Sequence, residues 1–300
     1  TGVQTCALPI SGKKIAIIGA GPAGAQAAID LRKQGHAVTI FDKLNVVGGM
    51  MRIGIPEYRL PRDIIDFEYS YLTKLGVDIK LGVEIGKDIA FSVLTDNYDA
   101  VLLAHGAHKG NIIPIPGSKS NGVFPATEYL KEISLTRQFP KAGPRIMVIG
   151  GGDVAMDCAR SSWRIGAQEV YQCSLEDFEN LPASQEEIHE SLEEGVIFNA
   201  GWGPIEILEK DGHVVGIKIQ KIKSILDEQG KFNPQYEGEP RIIEVDTVVM
   251  ATGQLVEDVT GGVLSQTRGG RYDVDKDTLA TQHSKVFVAG DAAGGVIVVE

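Results

Sequence analysis

Cysteine is scarce in this sequence, where only Cys6, Cys158 and Cys173 are spread over 300 residues. They form no CxxC pair and no spacing typical of metal or cluster ligands, which excludes a disulfide framework and a metal site built on cysteines. Cysteines so few and so scattered are typical of proteins in a reducing compartment. We therefore expect a cytoplasmic protein.

Basic residues are also in short supply, with 29 Lys and Arg against 40 Asp and Glu and a formal net charge of −11. Nucleic acids and anionic membranes are bound through clustered cations, so neither is expected as a partner. The sequence has no apolar run of about 18 residues, the length that a membrane-spanning helix needs. Glycine is abundant instead, with 36 residues in small groups, which predicts tight turns and close approach of the backbone to a ligand.

A short apolar run followed by glycines begins the first recognisable unit. Lys14–Ile18 predicts a buried strand, and residues 19–24 (GAGPAG) follow at once. The next residues predict a helix that ends at Gly35, and a second strand over 37–41 ends at Asp42. This order of strand, glycine turn, helix, strand and acid is the pattern of a dinucleotide-binding fold.

The same order begins again at Arg145. Residues 145–149 predict a strand, 150–155 (GGGDVA) a tight turn, 156–165 a helix and 169–175 a strand that precedes Glu176. Two copies predict an α/β fold with two Rossmann-like dinucleotide-binding domains. The remaining patterns predict a helix over 61–75, a Ser184–Glu187 capping box, a hairpin at Asp211-Gly212, and strands over 77–80, 101–103, 205–208, 214–219, 246–251 and 285–289.

Both turns are suited to hold a pyrophosphate without a lysine. The first glycine allows the tight reversal, the second lets the backbone approach the phosphate, and the third lets the helix pack on the strand. The N-terminus of the helix supplies free N–H groups and a partial positive charge. The acid after the second strand accepts hydrogen bonds from a ribose.

The sequence resembles the small-subunit type of glutamate synthase, a flavoprotein module also found in dihydropyrimidine dehydrogenase. The resemblance runs from about Gly12 to Glu300, and its most specific string is GGMMRIGIPEYRLP at 48–61. Supporting matches are residues 150–155 with Asp157, Arg160 and Arg164, then LPA at 181–183, ATG at 251–253 and VAGDA at 288–292.

The resemblance implies FAD on the first unit, a nicotinamide nucleotide on the second, and an NAD(P) domain inserted into the FAD domain. Glycines 19–24 would hold the FAD pyrophosphate, Asp42 the adenosine ribose and Asp291 the ribityl chain, while 49–55 would line the flavin ring and Val83 the adenine. No catalytic side chain is implied, because the cofactors carry out hydride transfer. The cofactor-binding residues implied by position are Gly19, Gly21, Pro22, Ala23, Gly24, Asp42, Lys43, Gly49, Met50, Arg52, Ile55, Val83, Gly106, Gly150, Gly152, Asp153, Val154, Glu176, Gly253, Gly290 and Asp291.

The choice of coenzyme depends on a departure from the family pattern. Members that prefer NADPH carry two arginines near the end of the second strand of this domain, where this sequence has Gln172 and Cys173. Glu176 has nearly the spacing of an acid that binds a ribose 2′-hydroxyl and repels a 2′-phosphate, which favours NADH. Glu176 could instead be a solvated loop acid, and Arg160 and Arg164 could still reach a 2′-phosphate.

The expected domains are 13–118 with 255–300 for FAD and 119–254 for NAD(P), after an unstructured, non-native lead-in over 1–12. The chain reads as truncated at both ends, so we expect a helix that begins after Asp291 to be incomplete and FAD binding to be weakened. Electrons would pass to iron–sulfur centres of a larger subunit or domain. The alternatives are a non-catalytic nucleotide-binding assembly module, a flavin monooxygenase, and a disulfide reductase, although 46–55 contains no cysteine pair.

Overall fold

The structure is a computed structural model that describes residues 11–267 and 269–293. The expected lead-in up to residue 10, Cys6 and the end of the chain after residue 293 lie outside the described residues. In chain order, the elements up to the first crossing between units are β1 Lys14–Ile18, α1 Pro22–Lys33, β2 Ala37–Asp42, α2 Met50–Ile53, α3 Arg62–Lys74, β3 Asp78–Leu81, α4 Phe91–Asn97, β4 Ala100–Leu103 and β5 Lys109–Gly110.

The second half of the chain is richer in strands, and two short 3-10 helices occur at Phe178–Asn180 and Gly290–Ala293. Its other elements are β6 Val123–Pro125, α5 Ala126–Thr136, β7 Arg145–Ile149, α6 Asp153–Arg164, β8 Glu169–Ser174, α7 Gln185–Glu193, β9 Ile197–Ala200, β10 Trp202–Lys210, β11 His213–Leu226, β12 Phe232–Ile243, β13 Thr247–Met250, β14 Gln254–Leu255 and β15 Val286–Val288.

The chain divides into two compact units, and the second is inserted in the sequence of the first. The first unit contains the described residues of 1–52, 57–109 and 255–300, and the second contains 53–56 and 110–254. The first crossing therefore falls after Lys109, where the sequence analysis expected it near residue 118. The short segment 53–56 groups with the second unit, so Ile55 lies there and not in the first unit.

Each unit is built on a five-stranded parallel sheet. The first sheet runs β15-β4-β1-β2-β3 and the second β6-β13-β7-β8-β9, so the two differ at one edge, where the last strand of the first unit and the first strand of the second unit lie. In each case the strand before the glycine turn, β1 or β7, lies in the middle and is buried over nearly its whole length. The carboxyl ends of the neighbouring strands therefore meet at the glycine turn, which is where nucleotides bind in such sheets.

The sequence patterns locate most of the elements that they predict to within one or two residues, but the strands predicted over 205–208 and 214–219 extend over Trp202–Lys210 and His213–Leu226. Helix α6 begins at Asp153, three residues before the predicted start. The sequence pattern misses this first turn because Asp153 and Val154 are exposed and carry no apolar periodicity. The hairpin turn at Asp211-Gly212 is confirmed, with positive φ at both residues. The sequence pattern does not predict strand β12, because this strand is an exposed edge strand interrupted by Pro234 and Pro240.

A buried ion cluster joins α6 to α7 in the second unit. The Arg160 guanidinium donates to Glu187 at 2.6 Å, and only 5% of the Arg160 side chain and 6% of the Glu187 side chain are exposed. Arg160 also pairs with Glu190 and Glu194, and Arg164 pairs with Glu194. A charge this well buried is tolerated only when its partners are present.

We predict that Arg160→Ala destabilises the second unit by about 3–5 kcal/mol, because it leaves the buried Glu187 carboxylate without its charge partner. Urea unfolding followed by the fluorescence of Trp163, which lies on α6, measures the change. Lys221→Ala is the matched control in the same unit. Its ion pair with Glu237 is solvent-exposed, so its removal should cost less than about 1 kcal/mol. Equal unfolding midpoints for the two variants would contradict the role of the cluster.

Candidate nucleotide-binding sites

The first glycine turn closes tightly on the end of β1. The N–H of Gly19 donates to the carbonyl of Phe41 at 2.8 Å, which ties the turn to β2. A Cβ at Gly19 would overlap the carbonyl oxygen of Ala104, and a Cβ at Gly24 would overlap the carbonyl oxygen of Gly19. These two positions therefore exclude any side chain, which explains the spacing of the two glycines in the sequence.

Gly21 lies at the N-cap of α1 and has a different role. Its φ of −80° suits any residue, and the nearest atom to a Cβ there would be the Cα of Gly49 at 3.9 Å. Gly21 has no side chain to cap this helix, so the first N–H groups after Pro22 lack a side-chain cap and carry the partial positive charge of the helix N-terminus. This is the cradle that a phosphate needs.

Two distant segments of the first unit approach this cradle. A Cβ at Gly49 would lie 2.8 Å from the Cα of Gly21, so the GG pair of the GGMMRIGIPEYRLP string passes directly beside the turn. Gly290 approaches from the other end of the chain, since a Cβ there would lie 3.1 Å from the Cβ of Ala23. The sequence-predicted residues around 19–24, 49 and 290 are thus brought together.

Asp42 is held in place by the turn itself. One carboxylate oxygen accepts from the N–H of Ala20 at 2.7 Å and the other accepts from the N–H of Leu44 at 2.8 Å. The carbonyl of the same residue accepts from the N–H of Val83 at 2.9 Å. The side chain is largely buried, yet it lines a cleft, where a carboxylate with several acceptor sites can still receive ribose hydroxyls.

That cleft has a volume of about 260 Å³ and lies wholly within the first unit. Five of the residues predicted from the sequence line it: Gly19, Asp42, Lys43, Val83 and Gly106. They come from four separate stretches of the chain that meet at the carboxyl edge of the sheet. The other lining residues that sequence reasoning missed include Glu84, Lys87, His108, Glu257, Asp258 and Val259.

An ion pair and a histidine fix the wall of the cleft at 257–259. The ammonium of Lys43 donates to the Glu257 carboxylate at 2.7 Å, and this hydrogen bond lowers the pKa of Glu257. His105 Nε2 lies 3.0 Å from the carbonyl oxygen of Glu257, so this nitrogen is the donor. Burial lowers the pKa of His105 and keeps the ring neutral.

The second glycine turn repeats this construction between β7 and α6. The N–H of Gly150 donates to the carbonyl of Cys173 at 2.9 Å, and a Cβ at Gly150 would lie 2.5 Å from the carbonyl oxygen of Ala251. Gly152 is the N-cap, with φ of −92° and no side-chain cap among the described residues. No atom of the described residues lies within 4 Å of a Cβ built on Gly152. The space beside Gly152 again fits a phosphate.

The Glu176 carboxylate lies close to this turn. One of its carboxylate oxygens is 3.2 Å from the position of a Cβ on Gly151, and the backbone carbonyl of Glu176 accepts from the N–H of Gly201 at 2.7 Å. Asp153 is turned aside, because its carboxylate accepts from the N–H of Ser184 at 2.8 Å. Val154 is 37% exposed beside it.

Gln172 and Cys173 have internal hydrogen-bond partners. Both are fully buried. The Gln172 amide donates to the carbonyl of Gly150 at 2.7 Å, and the Cys173 thiol donates to the carbonyl of Trp202 at 3.0 Å. Burial raises the pKa of Cys173 to about 12 and also raises that of Cys158, so both side chains remain thiols.

Arg160 and Arg164 do not replace the missing arginines. Their guanidinium groups are engaged by Glu187 and Glu190 of α7 and by Glu194 directly after it, an arrangement that does not favour the expectation that they could reach a 2′-phosphate. This cluster could not be predicted from the sequence, because the residues that pair lie about 30 positions apart. Only the packing of α7 on α6 brings them together.

The remaining predicted residues have less distinctive surroundings. Arg52 donates to the carbonyl of Val47 at 2.7 Å and pairs with Asp66, which orders the stretch after Gly49. Gly253 lies in the second unit with φ of 100°, and its carbonyl accepts from the N–H of Asn111 at 3.0 Å. Met50 is partly buried at the start of α2, and Asp291 is exposed within the 3-10 helix Gly290–Ala293.

No helix in the described ranges 11–267 and 269–293 is long and apolar enough to cross a membrane. Within the same ranges no group of three or more His, Cys, Asp or Glu side chains could hold a metal ion. The chemistry offered by the described residues is therefore that of two phosphate cradles, each with an acid beside it.

Comparison with known proteins agrees with this geometry. The chain is 38% identical over 299 residues to the NADP(+)-dependent formate dehydrogenase subunit beta of Moorella thermoacetica, covering 98% of this chain and 42% of that protein. It is 34% identical over 300 residues to the glutamate synthase [NADPH] small chain of Halomonas elongata, covering 94% of this chain and 63% of that one. The chain thus spans about half the length of these relatives.

The fold matches a solved structure as well. FprA of Mycobacterium tuberculosis, determined in complex with NADPH, superposes with a TM-score of 0.80 at 20% identity, over 93% of this chain and 78% of FprA. At this identity the match supports the fold alone, and it confirms the expectation of an α/β protein with two Rossmann-like domains. The predicted resemblance to glutamate synthase small chains is confirmed by the named relatives.

The sequence profile of the pyridine nucleotide-disulphide oxidoreductases matches residues 13–299, nearly the whole chain. The expectation of FAD and NAD(P)H as cofactors agrees with this match. The chain therefore belongs to the pyridine nucleotide-disulphide oxidoreductase family, which consists of NAD(P)H-dependent flavoprotein oxidoreductases.

Proposed function

We propose that this protein binds FAD on its first unit and NADH on its second, accepts a hydride from NADH and passes the electrons to iron–sulfur centres of a larger partner. FAD, when bound, can take up a hydride and release electrons one at a time. The observation that carries the proposal is the pair of open cradles at Gly21 and Gly152. Each lies at a strand–helix junction with an acid from the next strand beside it.

On the first unit, the N–H groups at the start of α1 hold the pyrophosphate, and Asp42 takes the adenosine ribose in the cleft. Val83 and Gly106 form walls of this cleft, and Lys43 orders the wall at Glu257. The stretch after Gly49 is assigned to the flavin ring, because Gly49 passes beside Gly21. The remaining contacts in this proposal are Pro22, Ala23, Gly24, Met50, Arg52, Gly290 and Asp291. Ile55 and Gly253, which group with the second unit, stay predictions from the sequence.

On the second unit, Gly150, Gly152, Asp153 and Val154 form the pyrophosphate site, and Glu176 accepts the adenosine ribose hydroxyls. A 2′-phosphate would meet the Glu176 carboxylate, and Arg160 and Arg164 are bound to glutamates. This arrangement favours NADH over NADPH. The relatives named above carry NADP or NADPH in their names, so the coenzyme is where we expect this chain to differ from them.

In this proposal the electron acceptor lies on a different polypeptide chain. The two relatives are named as a subunit of formate dehydrogenase and a small chain of glutamate synthase, and both names imply a further subunit. The described part of this chain contains two cysteines, both buried in the second unit, so iron–sulfur ligands must come from elsewhere. Free buried thiols also fit a reducing compartment, and we propose the cytoplasm.

Disulfide reduction is the less favoured branch of the family for this chain. It requires a reactive cysteine pair next to the flavin ring. The stretch 46–55 contains no cysteine, and burial raises the pKa of both Cys158 and Cys173, which keeps them as thiols. No observation in the described residues favours a monooxygenase or a non-catalytic assembly module over electron transfer.

We predict that Gly21→Ala and Gly152→Ala each weaken the binding of a different cofactor. Each glycine has room for a Cβ and an ordinary φ, so both variants should fold with an unchanged Tm, but the methyl group fills the phosphate cradle. Gly21→Ala should lower FAD affinity about tenfold or more through lost hydrogen bonds to the phosphate. Gly152→Ala should keep its flavin and weaken NADH binding by a similar factor.

Flavin content per chain and NADH titration of each variant measure these effects. Gly24→Ala is the contrasting variant, because its Cβ would overlap the Gly19 carbonyl and should disrupt folding of the first unit. If Gly21→Ala retains full FAD affinity, or if the two alanines affect the same cofactor, the assignment of the sites fails.

We predict that Glu176→Gln reverses the coenzyme preference. Loss of the carboxylate should weaken NADH binding about tenfold, because charge-assisted hydrogen bonds to the ribose are lost, and should strengthen NADPH binding by removing repulsion. Glu179→Gln, which neutralises an exposed acid in the same loop, is the control and should change neither affinity. A wild-type protein that prefers NADPH, or an unchanged ratio in Glu176→Gln, would remove this role of Glu176.

A further inference from the structure

The segment after the third strand is tied to the loop that follows the second strand in the same way in both units. In the first unit the N–H of Gly82, just after β3, donates to the carbonyl of Leu44 at 2.9 Å. In the second unit the N–H of Gly201, just after β9, donates to the carbonyl of Glu176 at 2.7 Å. Gly201 is therefore the counterpart of Gly82, and Trp202 is the counterpart of Val83, in agreement with the strand registers.

This correspondence locates a wall of the second site. In the first unit, Val83 lines the cleft that also contains the Asp42 carboxylate. Its counterpart Trp202 should accordingly border the space next to Glu176, where the adenosine half of a coenzyme would lie. Leu175 supports this placement, because it packs against Gly203, where a Cβ would come within 2.8 Å of its Cδ2.

The side chain of Arg241 stacks on the ring of Trp202. The guanidinium carbon of Arg241, from β12, lies 3.5 Å from the centre of the Trp202 ring. Its Nη2 donates to the side-chain oxygen of Asn199 at 3.2 Å, and the Asn199 amide donates in turn to the carbonyl of Gln172 at 3.2 Å. Arg241 is thus anchored at the carboxyl ends of β8 and β9, while its side chain remains exposed.

We infer that Arg241, laid on Trp202, is a contact for the adenine ring of the pyridine nucleotide on the second unit. This inference rests on the proposed function and adds a binding residue to it. A guanidinium is planar and stacks on aromatic rings through either face. With one face against Trp202, the other face of Arg241 is available to an adenine whose ribose lies at Glu176.

Arg241 is not part of the glutamate cluster that engages Arg160 and Arg164, and no ion pair of Arg241 with a carboxylate is found among the described residues. A guanidinium can also pair with phosphate, but a 2′-phosphate at this place would lie against the Glu176 carboxylate. Stacking on adenine serves NADH and NADPH alike, so the two roles of Arg241 can be distinguished with nucleotide fragments.

Trp202 itself provides the readout, because the chain has only two tryptophans, Trp163 and Trp202. In a Trp163→Phe background Trp202 is the single reporter. Titration of the FAD-loaded protein with 5′-AMP, which has adenine, ribose and phosphate but no nicotinamide, should give a saturable change in fluorescence. Arg241→Ala should raise the Kd for 5′-AMP and for NADH about tenfold, with flavin content and Tm unchanged.

Arg241→Lys should behave like Arg241→Ala, because lysine keeps the charge but loses the planar face. Lys231→Ala removes a cation from the tip of the same β11–β12 hairpin and is the matched control, with no expected change in either Kd. Wild-type affinities for 5′-AMP and NADH in both Arg241 variants would overturn the inference. A loss confined to 2′,5′-ADP, with 5′-AMP unaffected, would also overturn it and assign Arg241 to a phosphate.

Failure of this inference is distinguishable from failure of the proposed function. If the Arg241 variants bind nucleotides normally and NADH still reduces their flavin, only the adenine contact is wrong. If saturating NADH fails to reduce the flavin of the unaltered protein, the proposed function itself is wrong.

Discussion

Close approach of the backbone to a bound phosphate is the constraint on which the rest of the structure depends. At Gly19 and Gly24 the chain folds so tightly that a Cβ would overlap a carbonyl oxygen. At Gly21 and Gly152 a Cβ would have room, because no atom of the described residues would lie closer to it than 3.9 Å. The first pair is required by folding, and the second pair leaves room for a ligand. Helix N-termini then supply the positive potential that the net charge of −11 does not.

The second unit also has few arginines that are not paired with a carboxylate. Three of its arginines are committed to internal partners, with Arg160 and Arg164 bound to glutamates of α7 and its C-terminal end and Arg145 to Asp246. An acid, Glu176, lies beside the glycine turn. Since charge near the ribose decides between the two pyridine nucleotides, the proposed preference for NADH depends on this acid.

Local signals in the sequence located much of the fold and of the candidate sites. The strand–glycine–helix order fixed β1, α1 and β7 to the residue or nearly so, because buried runs and glycines act over short distances. Strand β12 could not be recognised, since its exposed residues and prolines lack the alternation of a strand. The wall of the first cleft at Glu257 and the stack of Arg241 on Trp202 join residues far apart in the chain. Such contacts have no signature before the chain is folded.

The central claim is that one chain holds both a flavin and a reduced pyridine nucleotide and transfers hydride between them. Anaerobic titration of the FAD-loaded protein with NADH, followed by the flavin absorbance, tests it most directly. The account predicts loss of the oxidised flavin spectrum with about one NADH per flavin, since a hydride carries the two electrons that FAD accepts. An oxidised spectrum that persists under excess NADH and excess NADPH would contradict it.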